Sequence, residues 1–324
     1  MTGDQQVCVV LMTYGSPATL GDIPAYLRNV RGGREPEGTL VTEFRRRYEL
    51  IGGSPLLRIT NEQAAALEAE LNGLRDGNSY RVVAGMRFSP PLIADVLRRS
   101  APESGSVVGV IMSPQFSPII MGGYVRDLQS AVDALHREGL SLTVAEDWHL
   151  QPYFLEALAQ RVNEALDALP PKVREEVPVL LTAHSMPKRV VEGEPGYVRQ
   201  LEETAAAVAE LVGLPEGRWT FCYQSAGHTP EEWLKPDFAD VMPRLKEGGY
   251  SHVVIAPVQF LADHLEVLYD IDIGAREQAE RAGIQFARIQ SLNTSPLFIK
   301  ALASVVGDAL AKGSRKSTKA SPGL

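Results

Sequence analysis

The feature that most constrains this chain is its alternation of short, β-branched apolar runs with longer amphipathic segments. The runs fall at residues 7–12, 80–85, 106–112, 142–146, 177–182, 219–223, 252–257 and 285–289. Helical patterns lie between or after them, at 61–74, 124–136, 152–169, 197–211, 262–282 and 296–310. The runs are apolar along most of their length rather than strictly alternating, as parallel strands covered on both faces require. This alternation predicts a doubly wound α/β fold with a parallel sheet, and a length of 324 residues predicts two such halves. The expected division is an N-terminal α/β half over 1–150 and a C-terminal α/β half over 151–312, its last helix free to pack on the first half. A Lys/Ser/Gly-rich stretch at 313–324 is expected to be a flexible tail. Thr60-Asn61-Glu62-Gln63 has the capping-box form and predicts a helix that begins at Asn61.

Composition narrows the function classes. Apolar residues at 44% and charged residues at 22% are those of an ordered globular protein. No apolar run approaches the ~20 residues of a membrane span, and the N-terminus lacks the pattern of a cleaved signal, so no integral membrane association is expected. The net charge of −8 argues against a nucleic-acid partner. Cys8 and Cys222 both lie in strand-like runs and make neither a CxxC knuckle nor a disulfide framework, which fits a reducing cytoplasm. A monomer is the expected state.

The two halves echo each other. One strand runs into Thr13-Tyr14-Gly15-Ser16-Pro17 and another into Thr182-Ala183-His184-Ser185-Met186-Pro187. Pro114-Gln115-Phe116 precedes Tyr124, as Pro257-Val258-Gln259-Phe260 precedes Glu266. Ligands of open α/β sheets bind beyond the carboxyl ends of strands, so two such edges facing each other would form one interdomain cleft.

There is no GxGxxG, GxxxxGK[ST] or GxSxG, and the six histidines contain no HExxH. Asn293-Thr294-Ser295 matches a glycosylation sequon but carries no weight in a cytoplasmic chain. His184 follows a strand at once, where an imidazole accepts protons near neutral pH or binds a borderline metal. Taken alone, it is better explained as a histidine satisfied by backbone. Glu266 lies past a second strand of the same half, beside Asp263, Asp270 and Asp272. Glu266 and Asp270 are four apart and would share a helix face, roughly 5–6 Å between Cβ atoms, where like charges repel and a cation relieves them. An acidic, solvated helix face explains these carboxylates equally well. The common position of His184 and Glu266 past strands of one sheet favours a shared site. In the first half, Arg28, Arg31, Arg34, Arg45, Arg46 and Arg47 outnumber Glu35, Glu37 and Glu43, a local excess suited to a multiply anionic small molecule. For Arg45 and Arg46 an ordinary outer helix face is the better explanation. Tyr14, Tyr48 and Tyr124 offer flat walls with a polar tip, although single tyrosines more often simply pack.

These residues lie in stretches that resemble the ferrochelatases, enzymes that insert ferrous iron into a porphyrin. They are Met12-Thr13-Tyr14-Gly15-Ser16-Pro17, Arg47-Tyr48-Glu49-Leu50-Ile51-Gly52-Gly53-Ser54-Pro55-Leu56, and Ala183-His184-Ser185-Met186-Pro187. Gln224-Ser225, Thr229-Pro230, Trp233-Leu234 and Phe260-Leu261-Ala262-Asp263-His264-Leu265-Glu266-Val267-Leu268-Tyr269-Asp270 complete the series, in order from 12 to 270. The resemblance implies two flavodoxin-like, chelatase-type halves facing a porphyrin cleft, with carboxylate contacts in the first half. It implies that His184 and Glu266 are catalytic and bind the metal, with Asp270 as a further candidate ligand. His184 would accept pyrrole protons and ligate the ion, and Glu266 would ligate it or relay protons, since an exchangeable N/O pair releases what a thiolate cage retains.

One subtype of the family is membrane-associated and takes protoporphyrin; another is soluble and takes coproporphyrin, with four propionates. The segment Arg34-Glu35-Pro36-Glu37-Gly38-Thr39-Leu40-Val41-Thr42-Glu43-Phe44-Arg45 is too polar for the apolar lip of the first, so the resemblance is to the second. By that resemblance Tyr14, Arg31, Arg47, Tyr48, Ser54 and Tyr124 contact the product, Tyr14 on the axial side of the iron. The implied reaction is insertion of Fe2+ into coproporphyrin III to give coprohaem in haem biosynthesis, with release of two protons. A downstream haem-pathway enzyme would receive the product. No tightly bound cofactor and no iron–sulfur cluster is expected, since relatives with a cluster use four cysteines. Gly274 stands where relatives often carry a further carboxylate, so an outer metal site is in doubt. The alternatives are a protoporphyrin IX ferrochelatase giving protohaem, a cobalt or nickel chelatase for another tetrapyrrole, a non-catalytic haem or porphyrin carrier, and a generic flavodoxin-like binding module.

Overall fold

The computed structural model describes residues 5–101, 104–227 and 231–319. The strands are β1 Gln5–Thr13, β2 Asn78–Met86, β3 Ser106–Ile111, β4 Ser141–Ala145, β5 Val179–His184, β6 Trp219–Gln224, β7 His252–Pro257 and β8 Gln285–Arg288. The helices are α1 Ile23–Val30, α2 Gly38–Leu50, α3 Leu56–Gly73, α4 Ile93–Ser100, α5 Pro118–Asp133, α6 Pro152–Asp167, α7 Pro171–Glu176, α8 Lys188–Glu192, α9 Pro195–Val212, α10 Phe238–Glu247, α11 Arg276–Arg281 and α12 Pro296–Lys319. A π-helix, Glu266–Ala275, precedes α11. All the strands expected from the apolar runs form, and the fold is the doubly wound α/β class. Among the described residues no helix is long and apolar enough to cross a membrane.

Contacts divide the chain into two units, Met1–Arg45 with Pro55–Trp148 and Asn293–Leu324, and Arg46–Ser54 with His149–Leu292. The first holds a parallel sheet in the order β2-β1-β3-β4, the second a parallel sheet in the order β6-β5-β7-β8. Numbered within each unit the order is the same, 2-1-3-4, so the echo between the halves is one topology used twice. In each, the strand order reverses between the first and third strands, where an open sheet presents its ligand edge. β1 is central in its sheet, and Val9, Val10, Leu11 and Met12 are fully buried. In the second unit Leu180, Cys222, Val253 and Ile255 of the sheet pack with Val267, Ile271 and Ala275 of the π-helix.

Three local expectations change. α3 begins at Leu56, not Asn61, because Pro55 stands at its N-cap. Thr60 is fully buried inside the helix, and its Oγ1 donates to the Leu56 carbonyl at 2.8 Å instead of capping. The helix expected over 262–282 is a π-helix from Glu266 to Ala275 before it becomes α-helical. Its apolar residues Val267, Ile271 and Ala275 recur every fourth position, a spacing that the wider i→i+5 turn keeps against the sheet. α12, with Phe298, Leu302 and Val306 buried, packs on α3, β3 and β4 and continues past Gly313 to Lys319. That part of the expected tail is therefore helical, since one glycine weakens a helix without ending it; residues 320–324 lie outside the described residues.

Candidate functional site

In the second unit, β5 delivers His184 to its own carboxyl end, and Ser185-Met186-Pro187 turns the chain away. The His184 Nδ1 hydrogen-bonds the Ser185 carbonyl. A carbonyl only accepts, so Nδ1 carries the proton and Nε2 presents its lone pair outward. That Nε2 lies 3.7 Å from Oε2 of Glu266, at the start of the π-helix. On its other side the same carboxylate oxygen lies 3.8 Å from Nε2 of His264, whose Nδ1 donates to the Ala262 carbonyl at 2.9 Å. Glu266 thus stands between two imidazoles with the same tautomeric arrangement. Burial works to raise its carboxyl, but in acid, where the two imidazoles are cations with a proton on Nε2 as well, their charge outweighs that and holds it down at about 2. Burial likewise disfavours the His264 cation, and the Glu266 carboxylate reverses that too, leaving His264 above its ordinary value.

Asp270, on the same π-helix, behaves differently. Burial pushes its carboxyl up and the charge of Glu266 adds to this, against the Ser225 hydroxyl, Arg47 and His184. The Arg47 Nη1 is 4.0 Å from Asp270 Oδ1, and its guanidinium lies 4.9 Å from the Tyr269 ring centre. Arg46 lies over the same ring at 5.5 Å and donates to the Tyr269 hydroxyl. Arg46 is therefore engaged, not an ordinary arginine of an outer helix face. The remaining acidic residues are spoken for: Arg288 of β8 grips Asp272 with Nε and Nη2 at 2.7 and 2.9 Å and reaches Asp263 at 3.5 Å. Glu266 and Asp270 are the two carboxylates this leaves beside His184. Among the described residues, no three His, Cys, Asp or Glu side chains gather as a closed metal cage. Tyr48 is buried at the end of α2, and Ser54 follows the paired left-handed Gly52 and Gly53.

In the first unit, Tyr14 leaves β1 with 45% of its surface exposed, its ring 4.6 Å from Phe88 and 6.4 Å from Tyr26. Tyr124 of α5 is buried; burial pushes its phenol above the usual range, with Tyr14 adding to the shift. Arg87 lies over the Tyr124 ring at 5.3 Å and is fixed by Asp127 at 3.0 Å. Its guanidinium occupies the space where any side chain at position 123 would begin, so Gly123 is what admits it. Arg31 closes α1, and its Nε is buried without a hydrogen-bond partner. The structure therefore brings His184, Glu266, Asp270 and Arg47 together in one unit and Tyr14 with Tyr124 in the other.

Sequence reasoning gave no role to His264, Gln259, Tyr197, Arg87 or Arg46. His264 carried a signal, two residues before Glu266 in the Asp-His-x-Glu segment; the others are set by contacts distant in the chain. The Thr229-Pro230 of the resemblance lies outside the described residues.

A family model described as Ferrochelatase matches residues 6–310. A ferrochelatase of Herpetosiphon aurantiacus is 38% identical over 303 residues, 93% of this chain and 98% of its own. The coproporphyrin III ferrochelatases of Geobacillus kaustophilus and Bacillus subtilis are 37% and 35% identical over 92% of this chain and 94% and 96% of theirs. Among solved structures, SirB from Bacillus subtilis with Fe3+ superimposes with a TM-score of 0.59 over 96% of this chain and 97% of its own. At 10% identity that likeness concerns the fold alone.

Proposed function

Because the chain belongs to the ferrochelatase family, we propose that it inserts Fe2+ into coproporphyrin III, giving coprohaem and two protons. The observation that carries this reading is the pair His184 Nε2 and Glu266 Oε2 at 3.7 Å. Insertion requires two pyrrole N–H protons to leave while a divalent ion sheds its ligands and enters the ring. His184, with its lone pair at Nε2, accepts a proton or ligates the ion. Glu266 remains ionised far below neutral pH, so it offers a negative oxygen to the ion at every working pH. Asp270 sits higher and is the group of the two carboxylates better placed to take up and pass on a released proton. No thiolate takes part: Cys8 and Cys222 are buried, and burial pushes both up to about 12.

The choice of coproporphyrin is supported by charge. Residues 34–45, where a membrane-associated relative would carry an apolar lip, expose Arg34, Glu35, Glu37, Thr42 and Arg45 and leave only Leu40, Val41 and Phe44 as half-buried large apolar side chains. Arg47 and the unsatisfied Nε of Arg31 suit carboxylate recognition, and Ser54 and Tyr124 add hydroxyls for propionates. Tyr14, exposed and aromatic, takes the axial side of the product. In this reading the protein works in the cytoplasm as a monomer and passes its product to a downstream enzyme.

Alanine at His184 and, separately, at Glu266 tests the enzymatic part. Each variant should bind coproporphyrin with near wild-type affinity, read by fluorescence quenching, and lose metal insertion. A wild-type protein that binds porphyrin and never metallates it would instead be a carrier.

A further inference from the structure

We propose that Gln259 is a positioning residue for metal insertion, fixing His184 through its main chain and anchoring it to Tyr197. The inference rests on the chelatase reading of this site. It starts from a mismatch in strand length. The β5–β7 ladder ends at Thr182 and Pro257, after which Val258 N still donates to the Thr182 carbonyl at 2.9 Å. β5 runs on to His184, paired on its other side with β6 as far as Gln224. Beyond Thr182, then, the β7 side of β5 has no strand to receive the His184 N–H, and a buried backbone donor left unpaired is costly.

Gln259 supplies the missing rung. Its Oε1 accepts from His184 N at 2.8 Å, and its Nε2 donates to the Tyr197 hydroxyl at 2.7 Å. A carboxamide is suited to this because it accepts at one end and donates at the other. Tyr197, on α9, is 2% exposed and among the largest fully enclosed side chains of the protein, so it makes a rigid anchor. On the β6 side, Ser185 N donates to the Gln224 carbonyl at 2.7 Å, and Thr182 Oγ1 donates to Gln224 Oε1 at 2.6 Å. The chain from Thr182 to Ser185 is thus held by a glutamine on each side, with Gln259 bonding His184 itself. The next residue, Phe260, sets its ring 4.6 Å from that of His264, so the 259–264 segment positions both imidazoles that flank Glu266. Gln259 holds the base and does not contact the reacting atoms itself. A displacement of about 1 Å at a reacting group costs up to ~100-fold in rate, and this clamp is what prevents it here.

The test compares wild type with Gln259→Met, Tyr197→Phe and the double variant, with kcat and KM for Fe2+ and for coproporphyrin III measured anaerobically. Met keeps the volume and removes both hydrogen bonds. We expect Gln259→Met to lower kcat about tenfold or more with porphyrin KM changed by less than about twofold, and Tyr197→Phe to add almost nothing in the Gln259→Met background. Unchanged kcat in Gln259→Met, or losses that multiply independently, would overturn the proposal. If wild type inserts no metal into either porphyrin, it is the chelatase reading that fails. The clamp is then judged by amide hydrogen exchange of metal-free protein: faster exchange at His184 but not at Leu180 in Gln259→Met supports it, and equal rates refute it.

Discussion

His184 Nε2 and Glu266 Oε2 stand 3.7 Å apart, too far for a hydrogen bond and close enough to share one ion. Two ligands each about 2.1 Å from a metal, at an open tetrahedral angle, lie roughly 3.4–3.7 Å from one another. The pair comes from the end of β5 and the start of the π-helix, and both elements are fixed by the same core of Leu180, Val267 and Ile271.

Replacing Glu266 by Gln keeps the shape and removes the charge. We expect kcat for insertion to fall by about 10²–10⁴, the range for a positioned acid–base group, while porphyrin affinity holds. Steady-state insertion beside a fluorescence titration checks this, and a variant with near wild-type kcat would remove Glu266 from the mechanism.

Glu266 and its other neighbour, His264, shape the acid response of the metal-free protein. The Glu266 carboxyl lies at about 2 against an ordinary 4.5, so its contribution is complete above 4.5 and is lost as the pH falls towards 2. His264 is raised from 6.5, so its contribution is complete below 6.5 and is lost as the pH climbs through the raised value. The Tm difference between wild type and Glu266→Gln should therefore be largest between 4.5 and 6.5 and shrink on both sides. A difference that fails to shrink both below 4.5 and above 6.5 would mean that the imidazoles do not hold the carboxylate.

Arg47 should not tolerate lysine. It stacks on Tyr269 at 4.9 Å while facing Asp270 at 4.0 Å, and a point charge on a flexible stem reproduces neither the planar stacking nor a bidentate grip on a propionate. We expect Arg47→Lys to raise the coproporphyrin Kd about 5- to 50-fold, the loss of roughly one charge-assisted contact. An unchanged titration would assign the propionates elsewhere.

Gly15 controls where Tyr14 points. Its φ is +93°, and a Cβ there would stand 2.4 Å from Ser89 Oγ, the atom that accepts from Ser16 N at 3.0 Å. Gly15→Ala should cost about 1–3 kcal/mol in a denaturant titration, with weaker product binding because Tyr14 moves. Full stability would show that the turn relaxes freely.

The strands are legible because buried parallel strands announce themselves as unbroken apolar runs, and the meeting of His184 with Glu266 is legible because each follows such a run. The start of α3 is not legible, because Thr60 matches a cap in sequence whereas its hydroxyl bonds back inside a helix already begun at Leu56. The π-helix was hidden because its four-residue apolar repeat at Val267, Ile271 and Ala275 is also acceptable to an α-helix. Gln259 was invisible for a different reason. Its role depends on β5 running two residues past its pairing with β7 and on a tyrosine on α9, and both partners, His184 and Tyr197, are remote in sequence. Arg46 reads as an ordinary residue of an outer helix face for the same reason, since its partner, Tyr269, is remote in sequence.

The most direct measurement of the central claim is anaerobic insertion of Fe2+ into coproporphyrin III and protoporphyrin IX, offered separately to the purified protein and followed at the Soret band. We expect rapid conversion of coproporphyrin III and little or none of protoporphyrin IX. Faster conversion of protoporphyrin IX would contradict the substrate assignment, and binding of both without conversion of either would contradict the chelatase itself.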